Sequence, residues 1–125
     1  MTDLSKSEIR VRNIRGLIRK ASTVSLGTRM AEDGSAYASF VLMATDPLGR
    51  PLLLLSDMAV HGRNIAKDPA ISLLVAEDPK GRDPLTLSRV SLQGTAEVID
   101  DVRLLERYVR RFPSARMFSK FKDFR

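Results

Sequence analysis

Leu52, Leu53, Leu54 and Leu55 stand in a row between the turn residues Asp46-Pro47-Leu48-Gly49 and the polar pair Ser56-Asp57. A short apolar run without alternation reads as a strand that must be covered on both faces, because a half-solvated strand would alternate. The next residues narrow the options further. A short helix after Asp57 carries His61, Arg63 and Asn64 in its first turns, and Asp68-Pro69 stops it. Residues 71–76, ISLLVA, then return as another apolar strand. Strand, polar turn, helix start and strand are thus packed into residues 50–77.

The rest of the chain is read around that unit. Residues 7–20 form an amphipathic helix with Val11, Ile14, Leu17 and Ile18 at helical spacing. Residues 22–29 alternate as a strand, Glu32-Asp33-Gly34 is a turn, and residues 37–45 pair back as the second strand of a hairpin. Residues 85–99 form a long strand with Gly94 as a bulge or bend. Asp100-Asp101 caps a last helix with a buried stripe of Val102, Leu105, Val109 and Phe112, and Pro113 ends it. A second helix is expected from Pro113 to Phe124. Strands joined by regularly spaced turns, with small helices at both ends, predict a mainly β chain closed into a small antiparallel barrel. The leucine run then argues for a homodimer that covers the barrel's outer face, against the alternative of cover by the chain's own terminal helices.

Composition removes several classes of function. The chain of 125 residues suits one domain, 1–125. It has no cysteine, which removes disulfides, thiolate catalysis and zinc–thiolate sites. No apolar run approaches the roughly 20 residues of a membrane span, and residues 1–20 lack a signal-peptide core, so a cytoplasmic protein is expected. The net charge of +6 belongs to the ends. Residues 1–20 hold six Lys/Arg against two acids and residues 101–125 eight against three, whereas residues 21–100 hold seven against ten. Solvated helix faces explain this more simply than a nucleic-acid surface.

The candidate chemistry is that of a binder. One histidine and no nucleophile-elbow pattern leave no Ser-His-Asp triad, the carboxylates have no metal-ligand spacing, and glycine-rich phosphate loops are absent. The turn before the short helix is different. A helix N-terminus offers unpaired N–H groups and partial positive charge, and Ser56, His61, Arg63 and Asn64 surround it, which suits a phosphate. His61 could equally be a surface residue, Asn64 and Arg63 could brace the helix, and Ser39 could simply be a small core-facing residue. Arg89 interrupts an apolar strand pattern and must reach solvent or a partner.

Three segments, AYASFVLMATD, PLLLLSDMAVHGRNIAKDPAISLLVAE and DPLTLSRVSLQGTAEVID, together resemble the FMN-binding split barrels related to pyridoxamine 5'-phosphate oxidase. The tail YVRRFPSARMFSKFKDF is similar to the branch of split-barrel haem-degrading proteins. The resemblance runs from about Ile14 to the end. It implies a six-stranded antiparallel split β-barrel, a homodimer, and FMN at the subunit interface. It puts Ser39 where the oxidases carry a phosphate-binding arginine, and Ser56, His61, Arg63 and Asn64 at the phosphate grip. Backbone groups of residues 40–43, Val41 among them, would line the flavin ring, and Arg89 would reach it from the other subunit. Ala44 stands near a lysine of the oxidases, and the segment that carries their vitamin-substrate arginine and histidine has no counterpart, so true pyridoxamine phosphate oxidase activity is not expected. Relatives continue into a further strand where this chain reaches Phe124-Arg125, so a C-terminally truncated form is expected.

A flavin-dependent oxidoreductase with no nameable catalytic residue is therefore the first expectation. Haem binding or degradation on the same fold, with His61 or Arg89 near the haem, is the second. A non-enzymatic interaction or nucleic-acid module using the basic ends is the third.

Overall fold

The computed structural model describes residues 5–117. In chain order the elements are α1 (Lys6–Lys20), β1 (Thr23–Arg29), β2 (Ala36–Leu42), β3 (Ala44–Thr45), β4 (Pro51–Leu52), α2 (Val60–Lys67), β5 (Ala70–Ala76), β6 (Arg89–Thr95) and α3 (Val102–Arg111). Two 3-10 turns, Pro84–Thr86 and Pro113–Met117, flank β6 and α3. The chain is mainly β, with four antiparallel strands in the order β2-β1-β5-β6 and a separate antiparallel pair, β3-β4. These ladders do not join the six strands into one closed ring, since β2 and β6 are edges of the larger sheet.

Local chemistry sets the elements. Ser5 caps α1 by accepting from the Glu8 N–H at 3.1 Å, and Asp101 caps α3 by accepting from the Arg103 N–H at 2.9 Å. In the hairpin between β3 and β4, the Asp46 carboxylate accepts from the N–H groups of Leu48 and Arg50 at 2.9 and 2.8 Å, and Gly49 takes the positive φ of 87° that closes the turn. Burial pushes the Asp46 carboxyl up, but these bonds and the Arg50 guanidinium, 2.5 Å away, outweigh it and hold the group below its ordinary range.

The main core joins Ile18, Val24, Leu26, Met43, Leu73 and Val75, with Ile14 and Leu17 packed against it. Each such aliphatic side chain contributes about 1.5–3 kcal/mol when fully buried. Val11, expected in the α1 stripe, is 49% exposed, because α1 packs on the core through its C-terminal half.

The leucine run is divided between two cores. Leu53 and Leu55 pack into the main core, whereas Leu52 and Leu54 pack on Ala44, Tyr108, Phe112 and Ala115. Both faces are covered, but the outer cover is α3 and the 3-10 turn after it. All four leucines stay half-buried, so the chain's own helices supply part of the cover expected from a second subunit. Only Pro51–Leu52 forms a ladder.

Other expectations shift as well. The strand expected over 37–45 breaks at Met43, where Met43 and Ala44 are buried in succession as the chain passes from one sheet to the other. Gly94 is no bulge and pairs in register with Ile71, and residues 84–86 turn as 3-10 helix before β6. Val102 opens α3 at 74% exposure, and Tyr108 is buried in its place. The second helix expected up to Phe124 is represented by the turn Pro113–Met117, and its remainder lies outside the described residues.

Candidate functional site

The helix α2 begins without a side-chain cap, since Ala59 occupies the N-cap position. Its first-turn N–H groups carry the partial positive charge of a helix start, Ala59 has no side-chain oxygen to cap them, and the first turn holds no acid. Gly62 seats this end against the preceding turn. A Cβ at Gly62 would collide with the Ser56 carbonyl oxygen and lie 3.1 Å from Asp57 Cα, so only glycine allows this approach. Ser56 Oγ in turn accepts from the Met58 N–H at 3.1 Å. Glycine inside a helix costs about 1 kcal/mol relative to alanine. That cost is the signal by which a sequence marks such a position, and beside His61 and Arg63 it is easily passed over.

Asn64 is 1% exposed and faces inward. Its Oδ1 accepts from the Ala31 N–H at 2.9 Å, and its Nδ2 donates to Thr28 Oγ1 at 3.0 Å and to Met30 Sδ at 3.6 Å. Lys67 Nζ adds a bond to the Ala31 carbonyl at 2.6 Å. The amide is consumed in bracing α2 to the end of β1, so Asn64 positions the helix rather than offering its side chain to a ligand. Arg63 is exposed on α2, and its guanidinium makes no hydrogen bond or ion pair among the described residues. His61 is half-buried, and burial pushes its imidazole below the ordinary 6.5, which favours the neutral ring.

Ser39 lies on the same side of the sheet as that brace. Thr28 is opposite Tyr37 and Leu26 is opposite Ser39, and directly opposed residues share a face. Thr28 and Leu26 are buried, so Ser39 points inward with them. Its Oγ is buried with no hydrogen-bond partner among the described residues. An unanswered buried hydroxyl costs about 1–3 kcal/mol, which a ligand oxygen or nitrogen would recover. Val41, opposite Val24, packs its side chain against the core, and only its backbone, in the edge strand β2, could meet a ligand.

Arg89 stands apart. Val90 and Leu92 pack on the core, so Arg89, Ser91 and Gln93 point to the opposite face of the sheet. Leu74 and Phe40 share that outer face with Ser91 through the register Phe40–Ser25–Leu74–Ser91. Phe40 is 73% exposed there, and Leu42 and Leu74 are also exposed. Arg89 is held loosely, by one bond from Nη1 to the Pro84 carbonyl at 3.5 Å. One chain therefore gathers Ser56, His61, Arg63 and Asn64 on the turn and helix of α2, with Ser39 on that side of the sheet, and leaves Arg89 on the other. Among the described residues no group of three or more His, Asp or Glu could hold a metal ion, and no helix is long and apolar enough to cross a membrane.

Comparison with known proteins places the fold. The family model for pyridoxamine 5'-phosphate oxidase matches residues 11–122. No curated protein matches. A haem-binding protein from Mycobacterium smegmatis is 31% identical over 99% of this chain and 50% of its own, with a TM-score of 0.81. The protein Atu2129 from Agrobacterium tumefaciens, of unknown function, is 30% identical over 98% of this chain and 53% of its own, at 0.82. The chain thus spans about half the length of these two relatives. HutZ, the haem storage protein from Vibrio cholerae, shares the fold at 21% identity and a TM-score of 0.76, over 90% of this chain and 83% of its own.

Proposed function

Because the chain belongs to the pyridoxamine 5'-phosphate oxidase family, we propose that it binds FMN and acts as a flavin-dependent oxidoreductase. The two sheets together would form the six-stranded split-barrel frame of a single domain in a cytoplasmic homodimer. The observation that carries the reading is the orphaned Ser39 hydroxyl on the side of the sheet where α2 presents an uncapped N-terminus. The donors fit a phosphate-bearing group. The first-turn N–H groups of α2, the Arg63 guanidinium and the His61 ring would hold the phosphate, with Ser56 in the turn below. Ser39 Oγ would donate to the same ligand, and backbone groups of β2 around Val41 would border its ring. Arg89 faces away from these residues, so it would reach the ligand only from a second copy. Bound FMN would supply the electron transfer, while the chain binds, orients and shields it.

Haem is the second reading, favoured by the 31% identity to a haem-binding protein. His61 or Arg89 would then lie near the iron or the propionates. One experiment separates the two. The purified protein is titrated with FMN and, separately, with haem, and visible absorption is followed for the wild type and for His61→Ala. The flavin reading expects saturable FMN binding that weakens in the variant. A Soret shift that disappears in His61→Ala, with no FMN uptake by the wild type, would replace flavin with haem.

A further inference from the structure

An open recess of about 400 Å³ lies away from α2 and Ser39, between the end of α1, the strand β3 and the outer side of α3. It is lined by Arg19, Ala44, Thr45, Arg107, Arg110 and Arg111. Four arginines therefore line one open space, and no acid lines it. None of the four forms an ion pair among the described residues. The nearest buried carboxylate, Asp46, is already neutralised by Arg50.

Two of the four are fixed by backbone rather than by counter-charge. Arg107 donates from Nε to the Thr45 carbonyl at 2.6 Å and from Nη2 to the Asp46 carbonyl at 3.4 Å. Arg111 donates from Nη2 to the carbonyls of Lys20 and Ala21 at 3.2 and 3.5 Å. Arg19 lies over the β3–β4 turn, its Nη2 only 3.2 Å from where a Cβ on Gly49 would sit. A guanidinium has five N–H donors, so each anchored arginine keeps several for the recess. Gathering like charges without an anion is unfavourable, and carbonyl anchoring holds the forks in place for one.

The geometry points to a second ligand site, for a small polyanion that carries at least two phosphate or carboxylate groups. The short reach of the patch, four arginines around one open recess, favours a small molecule over a nucleic acid, since a duplex needs an extended basic track. Two or more anionic groups are required because one phosphate leaves most of the four charges unanswered. The inference is independent of the flavin reading, whose residues do not line the recess.

The test is calorimetric titration of the full chain at low salt with tripolyphosphate, then with citrate, using the wild type, Arg19→Gln, Arg110→Gln and the double variant. The side chains of Arg19 and Arg110 make no hydrogen bond among the described residues, so their replacement spares the fold. Saturable binding of tripolyphosphate at one per chain is expected, weakened about tenfold in each single variant, as the loss of one charge-assisted contact predicts. Comparable citrate binding would assign the recess to multiple charge in general, and citrate silence would assign it to phosphate. The proposal is overturned by absence of saturable binding, by equal affinity in the double variant, by displacement of tripolyphosphate with FMN, or by duplex DNA binding where tripolyphosphate does not.

Discussion

The two faces of the four-stranded sheet hold their candidate ligand residues in opposite ways. On the inner side, α2 is seated by a glycine that admits no side chain and by an amide bonded to Thr28, Met30 and Ala31. On the outer side, Arg89 has one long bond and its neighbours Phe40, Leu42 and Leu74 are exposed. The inner site is organised by the chain itself. Among the described residues the outer one has only that bond to hold it, so its residues should matter chiefly when something docks on them. Changes to the residues that seat α2 should therefore appear as lost stability, and changes on the outer side as lost association or ligand binding.

The largest effect is expected at Gly62. Gly62→Ala must push α2 off the Ser56 carbonyl and should cost about 1–3 kcal/mol, read as a lower denaturation midpoint together with lost FMN uptake. Asn64→Ala comes next, because it leaves the Ala31 N–H and the Thr28 hydroxyl without their partner. It should also cost about 1–3 kcal/mol, and a midpoint equal to the wild type would deny Asn64 its bracing role. Arg89→Ala should leave the midpoint within about 0.5 kcal/mol, as exposed substitutions do, while weakening FMN binding or self-association. Ser39→Ala is the smallest and most discriminating change. Removing an unanswered buried hydroxyl should leave the free protein unchanged or slightly more stable, yet cost about 0.5–1.5 kcal/mol of ligand binding. Destabilisation of the free protein would show that the hydroxyl is already satisfied.

What could be read from the sequence depends on the range of the interactions. Alternation placed β1 and an apolar run placed β5 to within a residue or two, and Asp101 marked the start of α3. The outward aim of Arg89 was legible too, since Val90 and Leu92 alternate with it. The leucines at 52–55 announced two covered faces but not which element covers them, because α3 lies some fifty residues further on. The break at Met43 was hidden, since two buried apolar residues in succession look like a continuing strand. The role of Asn64 was hidden by distance. Its partners lie 33 to 36 residues earlier, and a polar residue at a helix start looks the same whether it faces in or out. The arginine recess depends on α1 and α3 meeting, with Arg111 bonded across 91 residues, which a count of charges at the two ends does not show.

The central claim is that the uncapped start of α2 receives a phosphate. His61 is the chain's single histidine, so proton NMR can follow its titration without ambiguity. In the free protein its pKa lies below the ordinary 6.5 through burial. The unfolded chain thus binds more protons, and this group's share of stability is complete above 6.5 and is lost as pH falls from there through the folded pKa. A phosphate at α2 favours the charged ring. Addition of FMN should raise the pKa of His61, with proton uptake on binding and affinity that weakens as pH rises through the new value. An imidazole whose titration is unchanged when FMN is bound would contradict the account.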